Sequence, residues 1–463
     1  MIFNNKVWSL EVKNFLLGNT VLWGFVSLML FGLYGFFHGN NVIERQEQIL
    51  AKIPSVQTAH IQTVVEHGKG KTVGSTAYYP FFYTTNPPSP WAKFSIGQRD
   101  VNPFNLKVKM LGIEGQLHDS ELTNPLTLLV GNLDASFVFI FLFPLLIIAF
   151  TYNTLSEEQE SGVWKIVRIS SSHTLSVIAR KLLIRLAVVL LTSAIVFLMG
   201  MIYLSLPFSL PSMQLGIVLL CYVIFWFTLA LMIISFGKSS SFNATVLVCL
   251  WIFLCILFPG IANIIIDNKI PVPEAQQTAI KQREGYHQKW DMPKKPTMET
   301  FYASYPEYRK YPIPEDKYSS GWYYAMQYAG DVESSESSDE LFKKLEQRQN
   351  LSDLFGQFNP VIAAQQHLNK IANTDLANHI QYLRSVKRHH KSLREYFYPG
   401  IFQETLTENL DWNAHPKYEP AGYVTASLLS GIVSMLLWSI AIFFTSTVLF
   451  KRNFIHITDK QNA

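Results

Sequence analysis

Charge is scarce in this chain of 463 residues. Asp, Glu, Lys and Arg together make up 16%, against about 25% in a typical soluble domain. The shortage is concentrated in six apolar runs that contain no charged residue: 20–37, 135–152, 186–206, 213–235, 242–266 and 422–450. Each reaches the roughly 18–20 residues a bilayer requires. Without a charge inside them, a proton relay or a charged ion pathway has no support. Cysteine is scarce too. Cys221, Cys249 and Cys255 all fall in these runs, where they read as small apolar packing residues. The long polar segments hold none, so disulfides cannot staple them, which fits a bacterial envelope protein.

Catalytic and cofactor motifs are also missing. "EHGKGKTVG" resembles the end of a phosphate-binding loop, but the glycine needed five residues before Gly70 is Val65. His379, His389 and His390 have no His-Glu-x-x-His spacing, and they read as a solvated helix face. No Ser, Cys or Thr stands in a nucleophile context. The expectation is a non-catalytic chain that holds no cofactor and no metal. The formal net charge of +4 makes nucleic acid a poor partner.

What is there is a polytopic α-helical membrane protein with six transmembrane helices, one for each run. The first run lacks a small-residue cleavage site and is read as a span. Lysine and arginine near the span ends set the orientation. Lys6 and Lys13, the group Lys165, Arg168, Arg180, Lys181 and Arg185, then Lys238, and finally Lys451, Arg452 and Lys460 lie on one side. The connection "SLPFSLPS" on the other side has no charge. Both termini are therefore expected in the cytoplasm, with 153–185 a cytoplasmic loop and 451–463 a cytoplasmic tail.

Two long segments, 38–134 and 267–421, then face outward and are expected to form one mixed α/β extracytoplasmic domain. The second carries 19 basic and 21 acidic residues, a near-neutral soluble surface. In the first, "NNVIERQEQILAKI" reads as a helix and "YYPFFYTTNPPSPW" as strands and turns. In the second, the acidic serine run "GDVESSESSDE" reads as a flexible tip or helix start. A helical tract follows from Glu340 to about Tyr398, broken near Asn359-Pro360. At the start of the second span, Asn132 or Asp134 is placed to cap the helix.

The most informative stretch is "SEEQESGVWKIVRIS". Ser156 and Gln159 have capping-box spacing. Glu157 and Glu158 fall in a first turn, where the helix dipole favours negative charge. Val163, Ile166 and Val167 form an apolar stripe with Trp164 beside it, while Lys165 and Arg168 point elsewhere. "SSSH" then breaks the helix. Three glutamates, Glu157, Glu158 and Glu160, would weaken attraction to an anionic leaflet. A docking surface for a cytoplasmic protein explains them better than a passive interfacial helix. At the N-terminus, 1–19 reads as an amphipathic elbow helix with Trp8, Val12 and Phe15 on one face and Glu11 and Lys13 elsewhere.

Taken in order, these pieces resemble a permease of the ABC-2 transporter type. The likeness rests on the elbow with Glu11 and Lys13, on Glu158 and Gly162 at the family's Glu-x-x-x-Gly spacing, and on Arg180-Lys181. Val163 and Trp164 stand where the family usually has Thr-Leu. Two longer stretches resemble the subgroup with large insertions after the first and fifth spans: "GNLDASFVFIFLFPLLIIAFTYNTLSEEQESG" and "FNPVIAAQQHLNKIANTDLANHIQYLRSVKRHHKSLREYF". The resemblance implies a multi-pass subunit of the bacterial inner membrane, paired with a second copy or a paralogous permease. It implies a separate cytoplasmic ABC ATPase that binds ATP and Mg and is contacted by Glu157, Glu158, Glu160, Gly162, Trp164 and Arg168. Two readings follow. One is export across the inner membrane. The other is a mechanical transducer whose outward domain acts on an envelope protein, as in metalloenzyme maturation or gliding-type machinery, without passing cargo. Membrane lipid is a partner in either case.

Overall fold

The computed structural model describes residues 5–117, 132–170, 174–311, 313–424, 427 and 429–454. The tail beyond 454 and the helix break read at 171–173 lie outside the described residues. Six helices are long and apolar enough to cross a membrane: Asn19–His67, Ala135–Glu160, Ser176–Tyr203, Leu210–Ile234, Ser240–Lys269 and Leu429–Phe454. They follow the six apolar runs in number and order, as expected of a multi-pass membrane protein, and are called spans one to six.

Their boundaries differ from the apolar runs where charge is tolerated. Helix α1 (Asn5–Leu16) precedes span one. Helix α2 (Asn19–His67) is 49 residues long, about 73 Å at 1.5 Å per residue. It carries span one into the "NNVIERQEQILAKI" helix without a break and accommodates Pro54 on the way. Span three belongs to a helix that begins at Thr174, twelve residues before the run at 186, because Lys181 and Arg185 sit on helical turns with protein partners. Span six starts at Leu429, and 421–424 have no regular structure.

Spans two and five share an irregularity with an identifiable cause. Span two contains a π-helical turn, Val138–Leu142, then helix α3 (Phe143–Thr151) with Pro144 in its first turn. Proline has no N–H to give the carbonyl four residues back and crowds it. That carbonyl, on Ile140, instead accepts the Tyr222 hydroxyl at 2.6 Å, and the Phe141 carbonyl accepts the Trp251 indole at 3.1 Å. Span five repeats the pattern with a π-helical turn at Phe253–Leu257 ahead of Pro259.

The two long segments between spans form one body, the head. Its core draws on Ile61, Phe82, Leu106 and Val108 from the first segment and on Phe301, Trp322, Tyr324, Leu393 and Phe397 from the second. The expected mixed α/β character is reduced to a single antiparallel pair, β1 (Phe82–Thr85) with β2 (Asn105–Val108), and the rest of the described head is mainly helical. Span two begins at Asp134, whose carboxylate accepts the Phe137 N–H at 2.9 Å as a cap.

The serine run is neither a tip nor a helix start. It lies inside a 39-residue helix, Ser320–Phe358, with Ser334 and Ser338 fully buried. Small side chains let three helices meet there. Ser337 accepts Lys281 from helix Glu274–Gln288 at 2.7 Å, and Ser338 faces Lys387 from helix Leu376–Phe402. Next to it, buried Asp331 accepts Arg394 and the Ile113 N–H, tying the two segments together. The helical tract read from Glu340 to Tyr398 is three helices, with breaks at Asn359 and at 373–375. His389 and His390 are buried in the head, at 9% and 1% exposure, and are not a solvated face. They lie on the side of the third helix that carries Val386 and Leu393 into the core.

Candidate functional site

The charged segment after span two leaves that span through helix α4 (Ser156–Glu160) and continues in helix α5 (Val163–Ser170). The single helix expected from the sequence is split at Gly162, whose φ of +76° lies in the left-handed region that glycine enters without cost. Nor does the capping box form. Leu155 takes the N-cap position without a side-chain bond. Ser156 is already inside the helix and meets the Ser240 hydroxyl at 2.8 Å.

The three glutamates have separate surroundings. Glu158 pairs with Lys181, and the same ammonium lies 3.3 Å from Glu11 of α1. Lys181 therefore ties the elbow helix and the segment after span two to span three. Phe15 of α1 meets Phe150 edge-on at 5.6 Å, and the Arg185 guanidinium lies 4.8 Å above the Phe15 ring. Glu160 accepts the Ser240 N–H at 2.7 Å and its hydroxyl at 3.0 Å, covering free donors at the N-terminus of span five. Glu157 is exposed and accepts the Asn153 amide one turn back at 2.7 Å.

Helix α5 has an inner and an outer side. Trp164 is 6% exposed and meets Phe454, at the end of span six, edge-on at 5.8 Å. Asn453 donates to the Ser235 carbonyl at 2.9 Å, so the ends of spans four and six close around the same point. Val163, Ile166 and Ile169 are 44%, 65% and 88% exposed, and Lys165 is exposed beside them. Among the described residues nothing covers this apolar face, while Trp164 anchors the helix on its other side. Trp8 is half-buried and Lys13 exposed. The Arg168 side chain lies outside the described residues.

The fold thus brings together Glu11, Glu158, Glu160 and Trp164 with α1 and four span ends, and leaves Glu157, Lys165 and the Val163–Ile166–Ile169 face outward. Sequence reasoning noted Lys181 only as part of an Arg-Lys pair. It missed Ser240 and Phe454, because neither carries a local pattern and both act across eighty residues or more.

Residues 275–421 match a family model described as a domain of unknown function (DUF3526). The match covers roughly a third of the chain and ends where the second head segment ends. No curated protein matches the chain, and no solved structure matches it.

Proposed function

We propose that this protein is the membrane subunit of an ABC-2-type assembly in the bacterial inner membrane, with α4 and α5 on the cytoplasmic side as its contact with a separate ATPase. The observation that carries this reading is the uncovered face of α5, backed by buried Trp164 and by the Lys181 clamp. A helix held on spans two, three, five and six through α4 and Trp164 transmits a push on its outer face to those spans as packed bodies. The ATPase binds ATP and Mg. This chain supplies neither catalysis nor a cofactor site, and it works beside a second permease, its own copy or a paralogue.

Among the glutamates, the direct contact in this reading is Glu157. Glu158 and Glu160 act as braces to Lys181 and Ser240 and hold the contact in place. Export is one outcome of the ATPase cycle. Mechanical action of the head on an envelope protein is the other, and the packing of the head's helices against spans four, five and six favours it.

The test is co-purification of ATP-hydrolysing activity with the tagged, full-length protein. Ile166→Asp and Glu157→Lys are expected to lose the associated ATPase by tenfold or more, the scale of about 1.4 kcal/mol or greater, while the subunit remains in the membrane fraction. Wild-type levels of associated activity in the Ile166→Asp protein would contradict the reading.

A further inference from the structure

A cavity of about 420 Å³ opens in the head between the strap 313–319 and the end of helix Leu376–Phe402, with Tyr311, Ile313, Ser319, Gly321, Phe402 and Glu404 among its walls. That volume lies within the ~300–1,000 Å³ range of ligand sites. We infer that the cavity receives an arginine side chain from a peptide segment of another envelope protein, with the guanidinium held by Glu404.

Glu404 stands where the backbone favours glycine. Helix Leu376–Phe402 ends with the Thr405 N–H on the Gly400 carbonyl at 3.0 Å and the Glu404 N–H on the Ile401 carbonyl at 3.3 Å. This pair of bonds places Glu404 in the left-handed region, at φ +53°. Helix Pro360–Ala372 ends the same way, with Asn373 at φ +57°. Glycine takes that position without cost and asparagine tolerates it, whereas a longer side chain gains nothing there from the backbone. Nor does Glu404 offset the strain by pairing. It is exposed, and among the described residues its carboxylate has no hydrogen bond and no ion pair. Strain of this kind collects where a ligand is held.

Two lysines close by in the chain are engaged elsewhere. Lys310 takes a face of the Tyr311 ring at 5.2 Å, and Lys294 donates to the Pro314 and Lys317 carbonyls of the strap. Gln403 donates to the Tyr311 hydroxyl at 3.0 Å, fastening the chain beside the strap to the helix end. Around the cavity, exposed Glu315, Asp316 and Glu404 outnumber exposed Lys310 and Lys317. A ring wall with a carboxylate suits a guanidinium, which stacks on aromatic faces and gives a carboxylate two parallel N–H bonds. The head itself contains one such set. Arg309 lies 5.2 Å above the Tyr302 ring and donates to both Glu299 oxygens, at 3.2 and 2.7 Å. Tyr311, Phe402 and Glu404 offer the same combination to an arginine from outside the chain, and Ile313 offers apolar surface to its stem. The cavity is at the far end of the head. The Tyr324 hydroxyl donates to the Gly74 carbonyl at 3.0 Å, so the start of helix Ser320–Phe358 meets the chain just past α2. His67, the last residue of α2, is 30 residues beyond the apolar run that ends at 37, about 45 Å along a helix.

The choice of an envelope partner rests on the outward head of the proposed function. The binding itself needs neither that placement nor the ATPase, so its failure leaves both as they stand. It is measured on the full-length protein in phosphatidylcholine nanodiscs with a displayed library of random nonapeptides, counter-selected on empty nanodiscs. The selected peptides are expected to share one arginine. The tightest of them should lose at least tenfold in affinity when that arginine is replaced by citrulline, and again when the protein carries Glu404→Gln. Glu404→Gly should lose the peptide to the same extent while melting no lower than the wild type, because it removes the charge and relaxes the backbone. A library that yields no binder, a shared residue other than arginine, or a Glu404→Gln protein that binds like the wild type would each overturn the proposal. So would a Glu404→Gly protein that keeps the peptide. If Glu404→Gln does not fold, Glu404→Gly carries the test, since its backbone is unstrained.

Discussion

His389 and His390 stand next to each other with their rings buried in the head. Burial pushes His389 down to about 4, with His415 adding a smaller effect. Burial, aided by Arg394, holds His390 well below the ordinary range. The unfolded chain titrates both near 6.5, so below that pH it binds protons the folded head refuses. Stability from this pair is complete above about pH 6.5 and is lost as pH falls toward 4. The thermal midpoint of the head should therefore drop over that interval. The double variant His389→Gln/His390→Gln should flatten the dependence by up to one proton per histidine. An unchanged slope in the double variant would remove this pair as the cause. At the same scale, adjacent glutamates that look equivalent in the chain differ by their partners. Glu158 is tied by Lys181, Glu160 by Ser240, and Glu157 is left outward. Those partners come from distant spans, which is why the acidic cluster was legible as a special segment while the division of roles within it was not.

At the scale of elements, periodicity and Gly/Pro placement carried most of the information. The six spans, the elbow helix, the Asp134 cap, the break at Asn359-Pro360 and a strand in the aromatic segment could all be read from runs, caps and breakers. Elements were misread where a local cue gave way to packing. Ser156 and Gln159 had capping-box spacing, but after the turn at 152–155 it is Leu155 that takes the N-cap position, and Ser156 is the first residue of the helix. The serine run looked soluble and flexible by composition. Its small side chains are in fact what lets three helices approach, and only the tertiary arrangement reveals that. Ser334 is fully buried at this junction. Ser334→Leu should force helices Glu274–Gln288 and Ser320–Phe358 apart and destabilise the head by about 1–3 kcal/mol, the usual cost of overpacking. Ser335→Leu, on the solvent side, should cost far less. Chemical denaturation of the two variants side by side measures the difference, and equal losses would argue against the seam.

For the whole molecule, the described residues form a helical membrane bundle and a helical head joined by several elements. Helix α2 runs through both, and Pro360–Ala372 shares the core of the spans. Apolar runs could not reveal that second connection, because "NPVIAAQQHLNKIA" is too short and too polar to register as a membrane segment. Its apolar side is supplied with partners by spans four, five and six. In the proposed assembly, these connections carry motion from the α5 face to the head. The central claim is that an ATP-binding protein sits on that face. Its most direct test is a photo-reactive residue at Ile166 in the full-length protein in cells, with His67 on the head as reference, followed by labelling of the cross-linked products with azido-ATP. The account predicts a product at Ile166, absent at His67, whose partner takes the azido-ATP label and loses it when excess ATP and Mg are added. Cross-links at Ile166 to lipid alone, or to proteins that never take the label, would contradict it.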